Sequence, residues 1–424
     1  GLDSAIIGSL MLASKVLDGI SDVIFGTLID RTHSKLGKAR PWMLFGQVGV
    51  SLCLFLLFAI PAGSTTMQYI YFFIVYTALN AVFYTANGIA YSSLVALITK
   101  NNNERVQLGS FRFMFAVVTN IFMGFAVTGM VEKFGSGAAG WRTTALIFAI
   151  VGLVVNTISC LAVKELPEEE LSGNTSEAAE EGKAVAEEKK HGFAETAKIL
   201  VHNKYYLMIL AIYIVYYIMS NLTTGAGVFC ATYYWGDGSL LGQFSMMKMF
   251  PVIIALAIAP VLIKKTGSMQ KVNFWGYAIS SVLGIPMIYF AMQKNLSMFL
   301  LFMFIKGIFA GTLSGSLNAL IAEASGYTTR TTGIHMDGMM YSCSSLGVKV
   351  GGGIGTAAVG WLLKLGGFVG TATVQSESAI RMIFNLYITF PFVIGIIITV
   401  LLAFLDVEKA NKKWDAEHQK EAQA

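Results

Sequence analysis

The sequence predicts an all-α protein that crosses a membrane many times, and three observations carry that prediction. Only 13% of the 424 residues are charged while 55% are hydrophobic, about half the charge of an ordinary soluble domain. Apolar stretches of about 20 residues, enough for a helix to cross roughly 30 Å of hydrocarbon, recur from one end to the other. Lys and Arg are unevenly divided among the connections: alternate ones hold 20 and 4. The stretches are continuously apolar rather than alternating, which excludes a closed β-barrel.

Eleven spans follow in order. Residues 5–29 form the first, which carries Lys15, Asp18 and Asp22. Spans 42–62 and 67–98 come next, the second ending in the polar seam "YTANGIAYSSLVALIT" (84–99). Span 108–131 contains Arg112, and span 142–163 closes the first group. After a long connection come 205–227, 240–263 with Lys248, 272–292, and 297–323 with Lys306. The last two are 335–363, where Lys349 adjoins a run of glycines, and 379–405, which opens near Arg381.

The charge bias orients these spans. The basic set comprises 30–41, 99–107, 164–204, 264–272, 324–334 and the tail from 406, which the positive-inside rule places in the cytoplasm with the C-terminus. The formal charge of +5 is thereby a matter of topology and needs no nucleic-acid partner. Residue 1 falls outside on this assignment. The opening "GLDSAIIGSLM" has neither a signal peptide nor much of a loop before the first span. The expectation is that one further helix precedes it, giving twelve spans in two halves of six.

Residues 165–203 break the pattern, with ten Glu against four Lys and a single aromatic residue. Such a segment buries too little apolar surface to fold alone and reads as a solvated acidic linker. The domains are then an N-terminal bundle (1–164), the linker (165–203), a C-terminal six-helix bundle (204–405) and a tail (406–424). This is the layout of repeat-built transporters. An internal echo fits it: "GTLIDRTHSKLGKARPW" (26–42) has its positional counterpart in "APVLIKKTGSMQKVNFW" (259–275). Cys53, Cys160, Cys230 and Cys343 lie singly in apolar segments, without metal or disulfide spacing, and read as packing residues. No nucleophile–base constellation is apparent, so intramembrane hydrolysis lacks its chemistry and an enzyme is not expected.

Ionisable groups inside spans are functional hypotheses by default. Lys248 and Arg381 lie near span ends, where long side chains can snorkel; Lys306 is deeper. Asp18 and Asp22 stack on one helical face, Ser21 lies close to it, and Asp is too short to snorkel. Two carboxylates and a hydroxyl suit a hard cation such as Na⁺ or a shared proton. Alternatively, an ion pair with Lys15, Arg112 or Lys349 simply holds helices together. Thr85, Asn87, Ser92 and Ser93 form a seam in which Gly88 permits close helix approach, as in ordinary helix packing. Arg112 lies about one turn into its span and can clamp a carboxylate or grip sugar hydroxyls. The glycines after Lys349 suggest a broken helix exposing backbone to a central site.

Taken in order, "LDGISD…DRTHSKLGKARPW", "YTANGIAYSSL", "SFRF" and "TTGIHMDGMMYSCSSLGVKVGGGIG…GWLL…GG" resemble the glycoside–pentoside–hexuronide:cation symporters, the melibiose-permease-like family. The resemblance spans essentially the whole chain. It implies the major-facilitator fold of two six-helix bundles, with the first visible span matching the family's second helix. It implies cation-coupled sugar transport by alternating access in a bacterial cytoplasmic membrane, with the protein acting as a monomer and no cofactor beyond the coupling ion. Asp18 and Asp22 fall on the family's cation-site aspartates and Thr85 on its cation-site threonine; Arg112 and Lys349 match residues linking the two sites. Ser21 stands where the best-known member has asparagine, Gly88 where it has a sugar-binding aspartate, and Ser92 where it has tryptophan. The expected substrate residues are Tyr84, Asn87, Gly88, Ser92, Arg112, Ser345 and Lys349, with Tyr84 covering an apolar sugar face. Asp30 and Arg31, with Lys38 and Arg40, resemble the facilitator family's cytoplasmic gate motif or are simply a topology signal, and His335 and Asp337 read as an inner gate or as a solvated face. Two other readings are a cation-coupled carrier of amphipathic lipid and a membrane sugar sensor that moves nothing.

Overall fold

A computed structural model describes residues 2–99, 102–135, 137–166, 199–333, 337–372 and 374–423. Each of the eleven expected spans corresponds to a helical stretch, and no strand occurs among the described residues. In order they are α1 (Ser4–Asp30), α2 (Arg40–Leu57), α3 (Thr65–Thr77), α4 (Thr85–Ile98), α5 (Asn102–Lys133) and α6 (Gly137–Ala162). Then come α7 (Lys204–Phe229), α8 (Leu240–Thr266), α9 (Met269–Met292), α10 (Leu296–Thr332) and α11 (Asp337–Leu365). Helices α12 (Glu377–Phe384), α13 (Phe390–Phe404) and α14 (Val407–Gln423) complete the chain. Short π-helical stretches join α3 to α4 (Ala78–Tyr84), follow α7 (Cys230–Tyr234) and join α12 to α13 (Asn385–Thr389). Among the described residues ten helical stretches are long and apolar enough to cross a membrane; α1 matches them in length, at 27 residues, but contains four charged residues, Lys15, Asp18, Asp22 and Asp30. Large apolar side chains such as Phe45, Val282 and Phe404 are exposed, as expected of surfaces that face lipid tails.

The chain forms two compact units. One comprises Gly1–Asn174, Ala231–Gln243 and Thr356–Met382; the other comprises Thr175–Cys230, Phe244–Gly355 and Ile383–Ala424. In the first, α2 packs along α6 and α4, and α1 packs along α3 and α4. Met43, Ala90, Leu94 and Cys160 share one of its buried clusters. In the second, α9 packs along α10 and α13 around Ile212, Tyr277, Leu313, Leu320 and Ile398. All four cysteines are free and buried.

Both units start a helix in the same way. At the start of α2, the Glu165 carboxylate accepts the backbone N–H groups of Lys38 (2.7 Å), Ala39 (3.0 Å) and Arg40 (2.9 Å). At the start of α9, Glu408 accepts those of Met269 (2.8 Å) and Gln270 (3.0 Å), and the Ser268 hydroxyl as well. A carboxylate at a helix N-terminus satisfies orphan donors and opposes the helix dipole. The parallel extends one residue further. Arg40 Nε donates to the Cys160 carbonyl at 2.8 Å, and Gln270 Nε2 to the Leu402 carbonyl at 3.0 Å. The repeat is therefore carried by Arg40 and Gln270, a register three residues away from the sequence echo that aligns Trp42 with Trp275.

The glycine run of α11 is read differently once its neighbours are known. The helix is unbroken. A Cβ on Gly351 would lie 2.4 Å from the Ile214 carbonyl oxygen, and one on Gly355 2.6 Å from that of Ile218. These glycines let α11 lie directly on α7, instead of exposing an unwound backbone. The linker 165–203 lies outside the described residues except at its two ends, and so does His335. The side chains of Asp30 and Asp337 likewise lie outside them, while Arg31 is exposed.

Candidate cation and substrate site

Asp18 sits mid-way along α1 with its side chain 14% exposed. The Thr85 hydroxyl, from the buried first residue of α4, lies 2.5 Å from its Oδ1 and 2.9 Å from the Asn80 carbonyl oxygen. The π-helical stretch explains why Thr85 can reach. Its widened turn has the Thr85 backbone N–H bonding the Asn80 carbonyl five residues back, a distortion found mostly at functional sites. Lys15, three residues before Asp18, holds its ammonium 3.6 Å from Oδ2. Asp22 follows one turn later and is half-buried. Ser21 donates its hydroxyl to the Asp18 backbone carbonyl at 2.9 Å, so its proton is committed to the helix itself and only its oxygen lone pairs remain available. Two carboxylates, a threonine hydroxyl and a movable ammonium thus share one stretch of α1 and α4. Such a set can hold a proton or a hard cation in exchange for the lysine.

The polar seam of α4 divides into two faces. Asn87 Nδ2 donates to Gln47 Oε1 at 2.9 Å, which ties α4 to α2. Tyr84, Gly88 and Ser92, spaced by four, share the other face. Tyr84 is 64% exposed, and a Cβ built on Gly88 would meet nothing within 4 Å. Gly88 therefore faces open space, where the sequence suggests a close helix contact. Ser92 returns its hydroxyl to the Gly88 carbonyl at 2.8 Å and accepts Arg112 Nη2 at 3.1 Å. The Arg112 guanidinium lies 4.5 Å from the centre of the Tyr91 ring, a cation–π geometry. Arg112 is exposed and ten residues into α5, which starts six residues before the expected span. This face offers an aromatic ring, an empty step and a positioned guanidinium, the donors and stacking surface that a sugar or its carboxylate needs.

In the second unit, Ser345 is exposed and Lys349 half-buried on α11. Arg381 is exposed and pairs with Glu377 at 3.0 Å. Lys248 does not snorkel: its ammonium turns inward to Thr224 Oγ1 at 2.7 Å. Sequence reasoning missed Asn80, Tyr91 and Gln47. The first acts through its backbone carbonyl, and the other two through contacts between helices that spacing along one helix does not reveal. No group of three or more metal-type ligands occurs among the described residues.

The family model for MFS/sugar transport proteins matches residues 1–409. The chain belongs to that family. It is thus a membrane transporter rather than an enzyme. The curated proteins it is similar to include the isoprimeverose transporter of Lactiplantibacillus pentosus, 26% identical over 428 residues, covering all of this chain and 85% of the relative. They also include the inner membrane symporter YicJ of Escherichia coli (strain K12), 24% identical over 395 residues, covering 92% and 81%. Among solved structures, a D-xylose–proton symporter superposes with a TM-score of 0.59 at 10% identity, covering 96% of this chain and 89% of that one. At that identity the likeness supports the family's two-bundle helical fold and nothing finer.

Proposed function

We propose that this protein is a cation-coupled symporter of the glycoside–pentoside–hexuronide type, carrying a sugar across the membrane by alternating access as a monomer. The observation that carries this reading is Asp18, a carboxylate within a transmembrane helix, gripped by Thr85 and shared with Lys15. An intramembrane carboxylate costs several kcal/mol unless it is neutralised. Na⁺ or H⁺ arriving at Asp18 and Asp22 competes with the Lys15 ammonium for that role. The coupling ion releases the lysine, and sugar affinity differs between the two states; that difference is the coupling free energy. Tyr84, Gly88, Ser92 and Arg112 form the substrate-facing surface of the first unit, and Ser345 and Lys349 are the substrate contacts assigned to the second. The gate comprises Asp30, Arg31, His335 and Asp337. The isoprimeverose-transporting relative supports a glycoside as cargo.

The test is uptake into proteoliposomes holding the purified chain, with a panel of labelled glycosides and uronides under an imposed Na⁺ or H⁺ gradient. Gradient-driven accumulation that disappears in Asp18→Asn and Asp22→Asn is expected, and the effective gradient names the ion. Uptake indifferent to both gradients and to both aspartates would overturn the coupling. Binding without uptake would point to a sensor.

A further inference from the structure

The second unit contains a polar constellation that the cation site leaves unused. Helices α7, α8, α9, α10 and α13 surround a cavity of about 170 Å³. Two lysines from within transmembrane helices line it. Lys248 donates to Thr224 Oγ1 at 2.7 Å and lies 3.5 Å from the Ser220 carbonyl oxygen. Lys306 has no hydrogen-bond or ion-pair partner among the described residues. Helix packing sets them on one cavity. Pro251 of α8 fits against Gly307 of α10, where a Cβ would come within 2.8 Å of the proline ring, and Gly311 lies similarly close to Ala255. Tyr277 and Tyr387 line the same cavity at 2% and 6% exposure. Neither phenol has a hydrogen-bond partner among the described residues. None of the residues that line the cavity is an Asp or a Glu.

The chemistry of this wall is one-sided. An ammonium offers three donors and no acceptor, and a phenol donates readily. Intramembrane charges are ordinarily paired, because desolvating one costs several kcal/mol. Here two lysines and two phenols line one cavity that no carboxylate lines. Lys306 has no acceptor of its own among the described residues, so the wall offers charge and donors to an anion. The remaining lining sets its body. Phe299, Phe392 and Met303 supply apolar walls, and Tyr216, bonded to Ser314 at 2.7 Å, adds hydroxyl groups. A cavity of about 150 Å³ accepts a benzene ring, so one six-membered ring fits.

We propose that this cavity binds a carboxylate borne on a single six-membered ring, with Lys248 and Lys306 holding the carboxylate and Tyr277 and Tyr387 donating to it. A sugar acid and an aromatic acid share that chemistry. The proposal is independent of ion coupling, because it is read by binding without any gradient. Equilibrium dialysis of the purified full chain against labelled glucuronate and labelled benzoate tests it, with neutral methyl glucoside as competitor. Saturable binding of at least one acid, not displaced by the glucoside, is expected. Glucuronate alone assigns a sugar acid, and benzoate alone an aromatic acid. Loss of a charge-assisted contact in Lys306→Gln should weaken binding about tenfold to a hundredfold. Lys306→Arg should recover most of it, and removal of the exposed Arg381 charge in Arg381→Gln should leave it intact. If Lys306→Gln does not fold, Lys248→Gln makes the same test. No saturable binding of either acid, equal displacement by the glucoside, or full affinity in a folded Lys306→Gln protein would overturn the proposal.

Discussion

The Asp18 carboxylate meets the Thr85 hydroxyl and the Lys15 ammonium, and the hydroxyl contact makes the first prediction. In Thr85→Val the charge-assisted bond is lost with little change of shape. The half-saturating Na⁺ or H⁺ concentration for uptake should rise by about tenfold or more, from the 1.5–3 kcal/mol such a bond contributes. Arg112→Lys keeps the charge but loses the planar stacking on Tyr91 and the aim at Ser92. Sugar affinity, measured by binding, should fall by about tenfold. Unchanged affinity would remove Arg112 from the substrate face. Asp18 and Asp22 stand out in the sequence because a mid-span Asp is too short to snorkel. Of the two readings open there, cation site or ion pair, the Lys15 contact belongs to the second as much as to the first. Thr85 was legible only through the family resemblance. The division of Asn87 from Gly88 was hidden, because the π-helical stretch sets the rotation of α4 and spacing alone does not reveal which face meets α2.

At the scale of the element, the two carboxylate caps matter most. Glu408 is 9% exposed and serves the first turn of α9, while Glu165 does the same for α2. Replacing either by Ala should destabilise the protein by about 1–2 kcal/mol, read as a lower thermal midpoint in detergent. A like loss from both would establish that the caps are equivalent. A pH dependence belongs here too. Asp3 caps α1 and pairs with Lys364, and that contact holds its carboxyl below the ordinary range. The stabilisation is present above the unfolded pKa and is lost as pH falls through the lower folded value. Thermal scans from pH 7 to 3 should therefore diverge least at the acid end when the protein is compared with Asp3→Asn. Helix positions were readable from apolar length alone, since backbone polar groups within a membrane must be satisfied along the helix. The caps were not readable, because Glu165 is 125 residues from Arg40 in the chain and looks like one more acid of the linker. The glycine run of α11 misled for a related reason: glycine permits both an unwound backbone and a close helix contact, and only the neighbouring Ile214 and Ile218 carbonyls decide between them.

For the whole molecule, the class was legible from composition, and each of the eleven expected spans has its helical stretch among the described residues. The grouping of Ala231–Gln243 and Thr356–Met382 with the first unit was not, because it depends on contacts between distant stretches. Orientation remains a prediction of charge: 20 basic residues against 4 place the tail in the cytoplasm. A green fluorescent protein joined after residue 424 is expected to fluoresce, and alkaline phosphatase at the same point to be inactive; the reverse would invert every connection. The unfilled step at Gly88 carries a consequence for descent. A Cβ added there meets nothing within 4 Å, so the fold leaves room for a small side chain, which on the proposed reading would be felt by the cargo instead. Positions with that property let a lineage exchange one cargo for another without first acquiring spare stability. Saturation mutagenesis at this one codon is accordingly the shortest route to a carrier with altered taste.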